Sequence, residues 1–239
     1  MSIPQIISLK KSGNVALNSG NYSEAIKYYT DGLEKFWNIH PNNEKSLLNN
    51  IPLDESLLEA RLYCKRSVAL LKLDQYYFAF EDAKQVTEIS PEWYKGYLRK
   101  ADIQLQCGLY QNALKDYQMA LRYLSSSELN ETKQSQYLKF INSKISHVLF
   151  LMQRERAFDY QIPWIGAAFG LVVGMSLVTW DYVSHGTKSY INHPILKLAF
   201  IGVIAYVFFY LASFHRSYNH KYKLEMLKPP YRDSRSKND

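Results

Sequence analysis

The stretch YLRKADIQLQCGLYQNALKDYQMAL, residues 97–121, decides the fold of this 239-residue chain. It contains two amphipathic segments separated by a short turn. Ala101 lies in the first segment, Tyr110 follows the turn, and Ala113 comes three residues later. Two antiparallel helices approach closely only where side chains are short, and an adjacent aromatic ring can fill the angle between them. The stretch therefore predicts a helical hairpin.

The same pattern occurs twice more, upstream of this stretch. The two copies are KKSGNVALNSGNYSEAIKYYTDGL at residues 10–33 and LYCKRSVALLKLDQYYFAFEDAKQVTEISP at residues 62–91. The corresponding residues are Gly13, Tyr22 and Ala25 in the first copy, and Ser67, Tyr76 and Ala79 in the second. The spacing is 34 residues between the second and third copies at all three positions, and 54 between the first and second. The longer spacing is one period plus a 20-residue insertion, placed at about residues 38–54.

The period and its marker residues match the tetratricopeptide repeat (TPR) pattern, and the chain resembles that family over residues 9–121. The resemblance implies an all-α fold, with a three-repeat TPR superhelix over residues 1–125 and a capping helix over 126–160. Such a helix covers the apolar side of the last repeat. Its expected apolar face consists of Tyr137, Phe140, Ile141, Ile145, Val148 and Leu149.

Two long apolar segments follow, at residues 162–180 and 195–214, joined by a short loop at 181–194. The first segment has no charged residue and the second has one, Lys197, which lies near one end. Each is long enough to cross a hydrocarbon core of about 30 Å. A buried helical hairpin in a soluble domain is the alternative, but this region would then have no polar face. We therefore expect two transmembrane helices.

The distribution of positive charge predicts the orientation of this hairpin. Most of the net charge of +7 lies in the tail at residues 215–239, whereas residues 1–150 are close to neutral. Arg154 and Arg156 precede the first segment, and the loop has one formal positive charge, Lys188. The positive-inside rule therefore places both termini in the cytosol.

The sequence is compatible with two membranes as the location of the chain. Arg235 and Lys237, near the end of the chain, resemble a basic endoplasmic-reticulum retrieval signal, which favours the endoplasmic reticulum membrane. An anchor with basic flanks would also suit the mitochondrial outer membrane.

Gly166, Gly170 and Gly174 follow one another at four-residue spacing in the first apolar segment. Such a ridge permits close contact between transmembrane helices. We expect it to pack against the second segment. Its alternative role is oligomerisation or docking to another membrane protein.

The first helices of the repeats carry the residues expected to bind a ligand. Counted from Ile6, Ala60 and Tyr94, the groove positions carry Lys10, Asn14, Lys65, Lys95 and Arg99. This set resembles the two-carboxylate clamp of chaperone adaptors such as the Hsp-organising protein. In that family five such residues hold the C-terminal Glu-Glu-Val-Asp tail of the 70-kDa and 90-kDa heat-shock chaperones. LKKSGN (9–14) and YKGYLRK (94–100) carry the resemblance.

The chemistry of these residues agrees with the resemblance. A chain-terminal aspartate offers two carboxylates close together, and converging cations and an amide can neutralise and orient both. One residue departs from the family, because Lys65 stands where the family has an asparagine. The alternative interpretation is that these are solvated basic residues on an exposed helix face.

No sequence feature indicates catalysis, a cofactor or a metal site. The six histidines are scattered, and there is no phosphate loop or nucleophile elbow. Cys64 and Cys107 lack metal-ligand spacing, and we interpret them as reduced structural thiols. The folded part shows no basic face for nucleic acid. The sequence favours a membrane-anchored co-chaperone that recruits heat-shock chaperones. Its rival is a structural scaffold subunit of a membrane complex.

Overall fold

The computed structural model describes residues 3–40, 53–126, 130–185 and 193–230. All regular structure in these ranges is helical, and no strand occurs in them. The helices are α1 Ile3–Asn18, α2 Tyr22–Ile39, α3 Leu53–Lys72, α4 Tyr76–Ile89, α5 Tyr94–Gln106, α6 Tyr110–Ser125, α7 Glu131–His185 and α8 Pro194–Glu225. The all-helical, TPR-like fold predicted from the sequence is confirmed.

The three repeats have the same turn, down to single hydrogen bonds. Gly20, Asp74 and Gly108 occupy equivalent positions after the first helix of each repeat. All three have a positive φ, of 82°, 56° and 72° respectively. In each repeat the next backbone N–H donates to a carbonyl five residues earlier, which is the Schellman arrangement that ends a helix. These bonds are Asn21 N to Ala16 O at 2.9 Å, Gln75 N to Leu70 O at 3.0 Å and Leu109 N to Gln104 O at 2.8 Å.

The small residues of the pattern lie where helices come closest. A Cβ added at Gly13 would stand 2.6 Å from Cε1 of Tyr29, so the ring occupies the space that a side chain would need. The alanines after the turns, Ala25, Ala79 and Ala113, are completely buried. Close packing of this kind is sensitive to one added methyl group. It explains why the pattern fixes the pairing of α1 with α2, α3 with α4 and α5 with α6.

The edges of the predicted insertion are helical. α2 continues to Ile39 and α3 begins at Leu53. Residues 41–52, which form most of the insertion, lie outside the described residues.

The first part of α7 packs on the repeats. Ile141 and Val148 are completely buried, and Gln134 Nε2 donates to the carbonyl of Leu124 at the end of α6 at 3.1 Å. The expected apolar face was too wide, because Phe140 is 47% exposed and Leu149 is 44% exposed. The buried stripe is narrower and contains Ile141 and Val148, which lie two helical turns apart on one face. Phe140 and Leu149 lie beside this stripe.

The capping segment and the first apolar segment form one continuous helix, α7, with Pro163 inside it. The chain nevertheless divides into two compact units. The TPR unit comprises residues 1–149 and 224–239, and the apolar unit comprises residues 150–223. Residues both before and after the apolar unit thus belong to the TPR unit. Met226 and Leu227, which follow α8, pack against the buried cluster that contains Leu70 and Ile103.

In the apolar unit, the glycine ridge of α7 lies against the backbone of α8. An added Cβ would lie 2.8 Å from the carbonyl oxygen of Phe208 at Gly166, 2.7 Å from Cα of Ala205 at Gly170, and 3.1 Å from Cα of Ile201 at Gly174. The partner numbers fall as the glycine numbers rise, so the two helices are antiparallel neighbours.

Ion pairs join the helices beside the apolar segments. Arg216 pairs with Asp159, and Lys223 Nζ lies 2.5 Å from Glu155 Oε1. Both α7 and α8 are long and apolar enough, by length and composition, to cross a membrane.

Candidate functional site: a cationic cleft in the TPR unit

A cleft of about 320 Å³ lies between the first helices of the three repeats and the start of α7. All five residues selected from the sequence line it. The full lining is Lys10 and Asn14 of α1, Arg61, Cys64 and Lys65 of α3, Trp93 before α5, Lys95, Leu98 and Arg99 of α5, and Tyr137 of α7. Five of these ten residues carry a positive charge and none carries a negative charge. The structure therefore brings the predicted set together, and it adds a fifth cation, Arg61.

Asn14 is held from below by Tyr29. The hydroxyl of this buried tyrosine donates to Asn14 Oδ1 at 2.9 Å. Burial raises the pKa of Tyr29 to about 12, so the hydroxyl stays protonated and remains a donor at neutral pH. With Oδ1 occupied in this way, the amide nitrogen of Asn14 is the part of the side chain left to donate to a ligand.

In the third repeat, Asp102 takes the position of Asn14, and its carboxylate holds Arg99. Arg99 Nη1 donates to Asp102 Oδ2 at 3.1 Å, while Tyr117 donates its hydroxyl proton to Asp102 Oδ1 at 2.7 Å. Tyr29 and Tyr117 occupy equivalent positions in their repeats, as do Asn14 and Asp102. Burial, followed by the charge of Asp102, raises the pKa of Tyr117 and keeps it a donor. Equivalent tyrosines therefore orient Asn14 in the first repeat and, in the third, the Asp102 carboxylate that holds Arg99.

Lys95 is surrounded by aromatic rings. Its Nζ lies 5.7 Å from the ring centre of Trp93 and 5.8 Å from those of both Tyr94 and Tyr137. Each ring face attracts a cation at this range. The rings position the ammonium without neutralising it, so its charge remains available to an anion. Tyr137 also packs edge-on against Tyr94, with 5.4 Å between ring centres.

The remaining cations crowd one another. Burial lowers the pKa of Lys10, and the positive charges of Arg61, Lys11 and Lys65 lower it further. Like charges in a shared cleft disfavour each other's charged form, and an anionic ligand relieves this repulsion. The cleft is thus electrostatically prepared for a negatively charged group.

Sequence reasoning missed Arg61, Trp93 and Tyr137 as lining residues. Arg61 could have been found, because it lies four residues before Lys65 on α3 and residues at that spacing share a helix face. Tyr137 carries no such local signal, since its place depends on how α7 docks. Cys64 and Cys107 are both free and buried, and burial raises the pKa of the Cys107 thiol to about 11.

Known proteins resemble about half of the chain. DnaJ homolog subfamily C member 7 of Mus musculus is 29% identical over 135 residues, which is 56% of this chain and 24% of that protein. The Hsp70-Hsp90 organising protein of Plasmodium falciparum is 32% identical over 114 residues, or 48% of this chain and 37% of that protein. No family model matches the chain.

Among solved structures, the Sgt2 TPR domain from Aspergillus fumigatus matches with a TM-score of 0.42 and 22% identity, covering 60% of this chain and 80% of that one. The chain spans about a quarter of the length of the mouse relative and little more than a third of the Plasmodium one. The chain carries a TPR domain that resembles those of co-chaperones of the Hsp70-Hsp90 organising type.

Proposed function

We propose that this chain is a membrane-anchored TPR co-chaperone that recruits cytosolic heat-shock chaperones of the 70-kDa and 90-kDa classes. It does so by binding their acidic C-terminal tails, and it serves protein targeting, insertion or quality control at an organelle surface. The observation that carries the proposal is the convergence of Lys10, Asn14, Lys65, Lys95 and Arg99 on one cleft with no acidic lining residue. The similarity to the Hsp70-Hsp90 organising protein supports it.

The geometry suits a terminal aspartate. Asn14 and Arg99 are oriented by buried tyrosine and aspartate partners, so they lose little conformational freedom when a ligand arrives. Arg99 can form a forked contact to one carboxylate, whereas Lys10 and Lys95 act as point charges. Charge-assisted hydrogen bonds of this kind are about twice as strong as neutral ones.

The anchor is the second part of the proposal, with transmembrane helices at residues 162–180 and 195–214. Large apolar side chains of the apolar unit face outward, among them Trp180 (73% exposed) and Leu198 (70% exposed). A two-helix pair cannot bury them, and water would make such a surface prone to aggregate. Lipid would cover them instead. The glycine ridge then packs the hairpin internally.

The orientation follows from the flanks. Arg154 and Arg156 precede the first apolar segment, and the basic tail at residues 215–239 follows the second. Both termini therefore face the cytosol with the repeats. The endoplasmic reticulum membrane is the favoured location, and the mitochondrial outer membrane is the alternative.

A vesicle flotation experiment tests the whole proposal. The chain is reconstituted into phosphatidylcholine vesicles and incubated with a purified 70-kDa or 90-kDa chaperone, either intact or lacking its last four residues. We expect only the intact chaperone to float with the vesicles. Equal flotation of both forms would contradict tail recognition. A chain that does not float at all would contradict the anchor.

A further inference from the structure

The antiparallel pairing of α7 and α8 continues beyond the two apolar segments. Two ion pairs join the helices there: Arg216 pairs with Asp159, and Lys223 with Glu155. The partner numbers fall along α8 as they rise along α7, in the same sense as along the glycine ridge. The helices are thus held together on the side that carries the chain ends.

These ion pairs leave a net positive charge on the outside of the helix pair. Residues 150–161 and 215–223 contain five Arg and Lys residues but only two acidic residues, and both acids are used in the ion pairs. The cations left over are Arg154, Arg156 and Lys221. All three are exposed, and none forms an ion pair with an acidic side chain in the part of the chain that the structure describes. Their charge is therefore available to an external anion.

The three cations lie at nearly the same distance from the apolar segments. Arg156 and Arg154 precede the first segment by six and eight residues, and Lys221 follows the second by seven. At a rise of about 1.5 Å per residue, all three lie roughly 9–12 Å along the helix axis from the segment ends. A headgroup layer of roughly 5–8 Å covers a hydrocarbon core, and long basic side chains can reach back towards it.

Exposed aromatic rings lie between these cations and the apolar segments. Arg154 Cζ lies 5.5 Å from the ring centre of Phe158, which is one helical turn nearer the first apolar segment. The ring attracts the guanidinium in that direction without neutralising it. Tyr160 is 73% exposed and Tyr218 is 63% exposed. Aromatic residues with basic residues beyond them are typical of the cytosolic interface of a membrane.

We infer that Arg154, Arg156 and Lys221 form a binding surface for the anionic headgroups of membrane lipids. This inference rests on the anchor in the proposed function and goes beyond it, because an anchor needs only hydrocarbon. Arg154 and Arg156 lie about 200° apart around α7, and Lys221 comes from α8, so the three charges surround the helix pair. A soluble anion needs groups that converge on one point, whereas lipid headgroups surround the pair.

The lipid selectivity of the whole chain in phosphatidylcholine vesicles tests the inference. Electron spin resonance measures the fraction of a spin-labelled lipid that the protein immobilises, and the labelled lipid is either phosphatidylserine or phosphatidylcholine. A basic residue near the surface attracts an anionic headgroup up to about fivefold. Because the cations lie at one end of the helix pair, the average over both leaflets should be about a twofold to threefold preference for phosphatidylserine. Salt at about 1 M, where the screening length is about 3 Å, should remove most of this preference.

Charge variants assign the preference to the three residues. In R154Q/R156Q/K221Q the preference should disappear. R154K/R156K/K221R keeps the charges and should keep the preference. K27Q/K84Q/K115Q is the matched control, because it removes three exposed positive charges from the TPR unit and should leave the preference unchanged.

The outcomes separate the headgroup surface from the anchor. A preference that persists in R154Q/R156Q/K221Q, or that falls equally in the control, overturns the assignment. A loss in R154K/R156K/K221R contradicts recognition by charge. If the wild-type chain floats with the vesicles but shows no preference, the anchor stands and the headgroup surface is wrong. If the chain does not float, the anchor fails, and the headgroup surface fails with it.

Discussion

Tyr29→Phe removes a single oxygen atom from beneath the cleft. The ring remains, and with it the packing against Gly13, where an added Cβ would lie 2.6 Å away. The change deletes only the hydrogen bond from the hydroxyl to Asn14 Oδ1, which is 2.9 Å long. A typical hydrogen bond contributes about 0.5–1.5 kcal/mol net, so the free energy of unfolding should fall by about 1 kcal/mol.

The effect on ligand binding should be smaller and should act through Asn14 alone. Without the tyrosine hydroxyl, the amide of Asn14 can exchange the positions of its oxygen and nitrogen. Only about half of the molecules then present the nitrogen to the ligand. We expect the affinity for a peptide ending in Glu-Glu-Val-Asp to fall about twofold, or roughly 0.4 kcal/mol. In an Asn14→Ala background, Tyr29→Phe should leave the affinity unchanged, because no amide remains to be oriented.

A double-mutant cycle measured by fluorescence anisotropy checks this coupling. Tyr28→Phe is the matched control, since its exposed hydroxyl donates to Glu24 and not to a cleft residue. It should not change the affinity. If Tyr29→Phe weakens binding equally with asparagine or alanine at position 14, the hydroxyl does not act by orienting the amide. Tyr29 would then not be a positioning residue for Asn14.

Three further predictions follow from other parts of the molecule. Gly170→Ala should destabilise the helix pair and lower its resistance to protease in detergent, because the new Cβ would lie 2.7 Å from Cα of Ala205. Gly202→Ala is the control and should leave the resistance unchanged, because its Cβ would meet no neighbouring atom within 4 Å. Asn21 and Asn130 head the sequons Asn-Tyr-Ser and Asn-Glu-Thr, and neither should be glycosylated if the repeats are cytosolic, so glycans at either site would reverse the orientation. Peptide affinity should fall as the pH rises through the pKa of Lys10, which burial and neighbouring cations lower, because the neutral amine no longer attracts a carboxylate. Lys10→Arg should remove that alkaline loss, and an unchanged profile would show that Lys10 does not contact the ligand.

The repeats were predictable because their signals are local. The marker residues at 13, 67 and 101 are short for a packing reason that acts within one helical hairpin. The turns end in the same Schellman bonds in all three repeats. Asp74 is less obvious, because it takes at φ 56° the place that glycine holds in the other two repeats. Its equivalence to the two glycines follows only from its position two residues before Tyr76.

The cleft was predictable only in part. Residues one turn apart on the first helices follow from the repeat register, which is why Lys95 and Arg99 were identified together. The devices that orient them were not predictable. Asp102 and Tyr117 meet across two helices, and Tyr137 reaches Lys95 only because α7 docks on the last repeat. Such contacts depend on tertiary packing.

The proposed clamp recognises the free carboxylate at the end of the ligand. Isothermal titration of the whole chain in detergent, with a heptapeptide ending in Glu-Glu-Val-Asp as free acid and as amide, tests it most directly. Amidation removes the negative charge of the terminal carboxylate. A hydrogen bond to a charged group is worth about 1.5–3 kcal/mol, so the affinity should fall at least tenfold. Arg99→Ala should cause a similar loss for the free acid. If the acid and the amide bind with affinities within twofold of each other, the cleft does not recognise a chain terminus.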